Sequence, residues 1–342
     1  MRAVIFGTAA LALCLVGSFG VLQAADTPSV TIAVLRGDGV LIPIVTRSGD
    51  KWAHTWPVPA KSAEVPMGLD GIPKRWWGKP GATPAWHAWQ IDGTKAEVVV
   101  ERPTWYLAHC QQGVGLKTPL TARPPLPPPT RQPYPKLGMA STAPLTFLRI
   151  QAVDQSDRMW MAVNDQVEKA LADAEDKMGE PSTNRMLSRH PTPTAERART
   201  PTRVESLYRL PIDDGGRVLY YVEATKRYGM PPLPANRRAA AATPRGGCST
   251  MTFGSGFFVI QADGVVPTPK LDVRVSSCDY DGLSLMLPLA AVGDVKGAPV
   301  WIGQVTGWDY EAYGGFRWNA AEDKIDDVFF TLGGSCVDRD GN

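Results

Sequence analysis

A chain of 342 residues with 36 Lys+Arg against 34 Asp+Glu carries almost no net charge, which excludes the strong positive field that drives non-specific nucleic-acid binding. The charge is uneven, because residues 185–245 hold twelve Lys/Arg against five Asp/Glu while 251–342 hold six against thirteen. The basic residues lie among prolines without interleaved aromatics, so solvated and mutually paired surfaces are expected and nucleic acid is not an expected partner.

The chain opens with Met1-Arg2, an apolar run from Ala3 to Val21 broken by Gly7, Gly17 and Gly20, and then Leu22-Gln23-Ala24-Ala25-Asp26. A short basic start, an apolar centre and small residues before a polar stretch are the pattern of a cleavable signal peptide over residues 1–24. The run is Gly-broken and near the shortest length that spans a bilayer, so a leader is expected and an anchor is not. The expected location is exported, periplasmic or extracellular, with no membrane span in the mature chain. Cys14 then leaves with the leader, and Cys110, Cys248, Cys278 and Cys336 remain. Four thiols in an oxidising compartment imply two disulfides, with three connectivities open. Full pairing ties Cys110 to a cysteine far along the chain.

Residues 26–117 read as a Trp-rich β domain. Val30–Leu35 and Val40–Thr46 are rich in β-branched residues and flank Gly37-Asp38-Gly39; Ser48-Gly49-Asp50 precedes Lys51–Trp56; Asp92-Gly93 separates Ala85–Ile91 from Ala96–Glu101. Glycine supplies the positive φ of tight hairpin turns, so a small antiparallel barrel or sandwich is expected. Residues 118–144 contain Pro124, Pro125, Pro127, Pro128, Pro129, Pro133 and Pro135. A stretch so short of backbone donors favours extended polyproline conformation and reads as the linker.

Residues 145–342 read as a second, β-rich domain with one helix at about 157–178. Met159, Val163, Val167, Ala170, Leu171, Ala174 and Met178 form its apolar stripe, Ser156 or Asp157 can cap it, and Gly179 with Pro181 stops it. Strands are expected at Val204–Leu210, Arg217–Thr225, Thr250–Gln261, Lys270–Ser277, Leu283–Leu289, Pro299–Gln304, Phe316–Asn319 and Asp326–Leu332. The fold class is mostly β, or α+β by strict counting.

Seven of the eleven tryptophans fall between Trp52 and Trp105. Aromatic faces stack on sugar rings, so Trp76, Trp77, Trp86, His87 and Trp89 are the candidate ligand-binding residues, with tight packing of large rings as the competing reading. In the pair Trp76-Trp77, strand neighbours point to opposite faces, so one ring is expected to be exposed or clamped by a loop. The four histidines are His54, His87, His109 and His190. His109 adjoins Cys110, yet strand neighbours diverge and a disulfide removes the nucleophile, so a Cys–His hydrolase is not expected. No zinc-type spacing occurs, the Asp-rich turns at Asp279 and Asp338 lack the rest of a calcium loop, and Gly-rich phosphate loops are missing, so no metal or cofactor is expected. Phe253–Gly264 resembles the opening strand pair of trypsin-like periplasmic proteases, but no histidine follows His190 and Gly333-Gly334-Ser335-Cys336 lacks the family's nucleophile pattern. The likeness reduces to a strand, a turn and a strand.

The expected function is a non-catalytic, exported binding or interaction protein whose Trp-rich domain contacts a ligand or glycan, with a carbohydrate or a protein as partner. The alternative is a carboxylate-based hydrolase such as a glycosidase, drawing its acids from Asp279, Asp281, Asp309 and Glu311.

Overall fold

The structure, a computed structural model, describes residues 29–53, 69, 72, 74–77, 85–108, 111–120, 136–178, 190–229, 248–279, 283–293, 297–307 and 310–336. The expected leader lies outside these residues, as do the Pro-dense stretch 121–135 and His54, Trp56, His109 and Cys110.

Eight strands build the first sheet: β1 (Val30–Arg36), β2 (Val40–Ser48), β3 (Lys51–Ala53), β4 (Trp86–Gln90), β5 (Lys95–Val98), β6 (Arg102–Ala108), β7 (Gln111–Lys117) and β8 (Lys136–Ser141). They run β5-β4-β8-β1-β2-β7-β6, with β3 also on β2, all antiparallel, and the sheet curls into a half-barrel. Period-2 alternation sends Ile32 and Val34 of β1 to one face and Ala33 and Leu35 to the other. Gly39 closes the β1–β2 turn at φ +80°, and an added Cβ there would sit 2.3 Å from the Leu120 carbonyl oxygen, so conformation and space both demand glycine.

Lys136–Ser141, inside the stretch expected to be linker, is instead a central strand of this sheet, paired with β1 and β4. Its residues are buried throughout. Gly138 lets β8 approach β4 so closely that an added Cβ would lie 2.0 Å from the Trp89 carbonyl oxygen.

From β8 the chain crosses two short strands, β9 (Phe147–Leu148) and β10 (Gln151–Ala152), and enters helix α1 (Arg158–Met178). The Asp157 carboxylate caps α1 by accepting the Met159 N–H at 2.9 Å. A one-turn helix α2 (Thr194–Arg197), not anticipated from the sequence, precedes β11 (Arg203–Pro211), β12 (Val218–Tyr228), β13 (Thr250–Ile260) and β14 (Asp272–Ser277). Then come β15 (Leu285–Val292), β16 (Val300–Thr306), β17 (Tyr310–Asn319) and β18 (Lys324–Ser335). The second sheet has the order β10-β11-β12-β13-β14 and the third β18-β17-β16-β15-β9, again antiparallel. The molecule is mostly β. No helix among the described residues is long and apolar enough to cross a membrane.

Four layers follow from which residues share a core. Ile32, Val34 and Ile42 of the first sheet pack with Val300, Ile302 and Tyr313 of the third. Trp301 and Met286, on the opposite face of the third sheet, pack with Leu210, Tyr221 and Val259 of the second. The far face of the second sheet receives Val163, Val167 and Leu171 of α1. The third sheet is therefore the middle layer, which is why Leu285–Val292 is almost uninterruptedly apolar.

Candidate functional site

The tryptophan platform expected from the sequence is not formed. Trp76, Trp86 and Trp89 are 4%, 0% and 6% exposed, so none offers a ring face to a sugar. Trp76 and Trp86 join the apolar cluster on the outer face of the first sheet, and Trp77 packs against the same cluster. The opposite-face argument for Trp76-Trp77 fails because Lys74–Trp76 is a 3₁₀ turn, not a strand. Its indoles are used internally: Trp77 Nε1 donates to the Ile72 carbonyl at 3.2 Å, and Trp86 Nε1 to the Trp76 carbonyl at 3.1 Å. Trp52 stacks on Phe329 of β18, with ring centroids 5.7 Å apart, and so helps join the first and third layers. Trp105, on β6 and not among the candidate ligand-binding residues, is exposed at 41%.

Two of the candidate residues do meet at a cavity. At the β4–β5 edge of the first sheet, where residues 144–147 cross toward the third, an open cleft of about 420 Å³ is lined by His87, Trp89, Lys95, Glu97, Leu145 and Phe147 among others. Cross-strand register creates this grouping: His87 faces Glu97 and Trp89 faces Lys95 across β4 and β5. Trp89 and Phe147, with centroids 6.1 Å apart, make an aromatic floor. Above it, His87 Nδ1 lies 3.8 Å from Glu97 Oε1, the imidazole partly buried and the carboxylate largely in solvent. The result is an apolar floor under a rim carrying one cation, one anion and one imidazole.

The remaining ionisable groups of interest are internal. Lys136 of β8 and Glu311 of β17, both fully buried, pair at 2.9 Å across the first and third sheets. Gln304 Nε2 donates to the second Glu311 oxygen at 2.9 Å, and Tyr313 OH donates to the first. Burial lowers the Lys136 pKa against the pull of Glu311. Glu311, named above as a hydrolytic acid of the alternative reading, is thus enclosed and fully buried. Asp279 lies in the turn after β14, and Asp281 and Asp309 lie outside the described residues.

A second network gathers on Glu175 of α1. Lys226 Nζ binds Glu175 Oε2 at 2.8 Å, Thr252 Oγ1 donates to Oε1 at 2.6 Å, and Tyr228 OH donates to the same oxygen. His190 Nδ1 accepts the Thr192 N–H at 3.0 Å, so Nε2 carries the hydrogen and donates to Thr252 Oγ1 at 2.9 Å. Burial holds the His190 pKa below the ordinary imidazole value, which suits this neutral tautomer. The donors converge on one carboxylate, directly or through Thr252, so the network clamps α1 to the second sheet. The sequence carried a signal for it: Glu175 continues the Val163, Val167, Leu171 spacing of four, on the buried side of the helix.

Cys248 and Cys278 form a disulfide, with Cα atoms 5.9 Å apart, joining the start of β13 to the end of β14. Cys336 is also disulfide-bonded. Among the described residues no group of three or more His, Cys, Asp or Glu is arranged to hold a metal. Compared with family models, curated proteins and solved structures, the chain matches none.

Proposed function

We propose that this chain is an exported, non-catalytic binding protein whose ligand occupies the β4–β5 cleft. The observation that carries the reading is the cleft itself, with a volume of about 420 Å³ and an aromatic floor beneath His87, Lys95 and Glu97. Sites of that size with an apolar lining and a few convergent polar groups suit small molecules. The ligand class that fits is amphipathic, with an apolar ring edge against Pro144 and Leu145 over the buried Trp89–Phe147 floor and hydroxyl or carboxylate groups at the rim; aryl glycosides belong to it. Calorimetric titration with phenyl β-glucoside tests this. The double variant Lys95→Ala/Glu97→Ala, both on an exposed edge strand, is expected to bind at least tenfold more weakly with an unchanged melting point. Equal binding by wild type and variant would remove the cleft from consideration.

Export is supported by the leader-like N-terminus and by bridge formation. With Cys248 and Cys278 paired and Cys336 bonded, Cys110 and Cys14 are the remaining cysteines. Strand β6 ends beside the last residues of β18: an added Cβ on Gly334 would lie 2.6 Å from the Ala108 carbonyl oxygen. The proposed second bridge is therefore Cys110–Cys336. Non-reducing peptide mapping of the secreted protein is expected to yield that cross-linked pair and a mature N-terminus at Ala25 or Asp26; a free Cys110 thiol contradicts it.

A further inference from the structure

Three hairpin ends converge where the second and third sheets meet: residues 212–217 between β11 and β12, Gly297 and Ala298 between β15 and β16, and 317–326 around the β17–β18 turn. They enclose a second cleft of about 470 Å³. Loops at one end of a stacked pair of sheets are where rigid scaffolds place binding residues. This cleft's polar lining is Asp213, Arg217, Arg317, Asn319 and Asp326, with Trp318 beside them.

The charges in the lining are two of each sign and are arranged in pairs. Arg217 Nε bonds the Asp213 carboxylate, both side chains partly exposed. Asp326 Oδ2 accepts Asn319 Nδ2 at 3.2 Å and lies 4.0 Å from Arg317 Nη2. An anion entering this cleft meets two carboxylates, and a cation meets two guanidinium groups. A neutral molecule with neighbouring hydroxyls meets neither penalty. Each hydroxyl can donate to a carboxylate oxygen and accept from a guanidinium N–H, and the planar groups match vicinal pairs of hydroxyls.

We propose that this cleft is a second binding site, specific for a neutral, hydroxyl-rich ligand, namely a short stretch of oligosaccharide. The site is distinct from the β4–β5 cleft and does not depend on it. The hydrogen bond from Arg217 holds Asp213 below the usual carboxylate range, so it meets the ligand as an acceptor for its hydroxyls. If both clefts engage one polymer, the second contact becomes intramolecular and a polysaccharide binds more tightly than its fragments.

The test uses the full mature chain and calorimetric titration with two neutral probes, cellotriose and maltotriose, beside two charged ones, inorganic phosphate and spermidine. A neutral trisaccharide is expected to bind. The Asp213→Asn/Arg217→Gln variant is expected to weaken that binding at least tenfold with an unchanged melting point, while Lys51→Ala, exposed on β3 outside both clefts, retains it. Should the double variant unfold, Arg217→Gln alone carries the same expectation. The proposal is overturned if neither trisaccharide binds, if phosphate or spermidine binds more tightly than both sugars, or if the cleft variants bind like wild type. Loss of sugar binding in Lys95→Ala/Glu97→Ala alone assigns it to the other cleft and likewise overturns this one.

Discussion

Glu223 of β12 is fully buried between the second and third sheets, where one oxygen accepts the Met286 N–H at 2.6 Å and the Tyr221 hydroxyl at 2.9 Å. The other oxygen, like Ser206 Oγ and Tyr208 OH nearby, has no hydrogen-bond partner among the described residues. Desolvation pushes the Glu223 carboxyl up to about 7 from an ordinary 4.5. The folded protein therefore holds this proton more tightly than the unfolded chain. Its stabilising effect is full below pH 4.5 and declines as pH rises through 7, by on the order of 3 kcal/mol. Glu223→Gln removes that dependence. Thermal unfolding of the two proteins is expected to coincide at pH 5 and to favour the variant by several degrees at pH 8; parallel profiles would refute the assignment. His190 works in the opposite sense, because its lowered pKa means that the unfolded chain takes up protons first, so acidification below pH 6.5 destabilises the fold.

At the scale of elements, α1 is held by packing and by one carboxylate. Removing Glu175 leaves Lys226 buried without its counter-charge. Glu175→Ala is expected to cost about 3–5 kcal/mol in urea unfolding, and Glu175→Leu/Lys226→Met to recover most of it, since paired apolar replacements dispense with both desolvation penalties. A double variant as unstable as the single one contradicts that account. The strands that sequence reveals are those with β-branched alternation and glycine turns, such as Val30–Arg36 and Val40–Ser48. Those it hides are β6, with Arg102 and Pro103 at its start; β7, with Gly113 and Gly115; and β8, whose Lys-Leu-Gly-Met-Ala-Ser has little intrinsic strand preference. In β8, close approach to neighbouring backbones selects small residues, and its lysine is buried only because Glu311 arrives from 175 positions away. The β4–β5 cleft was half legible for the same reason. His87 and Trp89 stood out by type, whereas Lys95 and Glu97 joined them through register and Phe147 through a crossing that no local pattern announces.

For the whole molecule, the shared cores override the division that the proline stretch suggests. The first sheet packs on strands 285–335, so those two parts cannot melt independently while that face stays covered. Calorimetry of the oxidised protein is expected to show one cooperative transition, with the van't Hoff and calorimetric enthalpies equal. Two resolved transitions would mean that the first and third layers separate before the rest unfolds. Opening the Cys248–Cys278 bridge, which closes 30 residues, is expected to lower stability by about 3–4 kcal/mol without splitting that transition.

The position of the middle layer also sets an order of assembly. A ribosome releases the first and second sheets before any strand of the third beyond β9, so the apolar faces of Ile32, Val34 and Ile42, and of Leu210, Tyr221 and Val259, must wait uncovered for residues 285–335. A nascent chain stopped at residue 280 has two complete sheets and nothing to put between them. The last sixty residues act as a keystone, and until they emerge the chain remains in a form that holdase chaperones recognise.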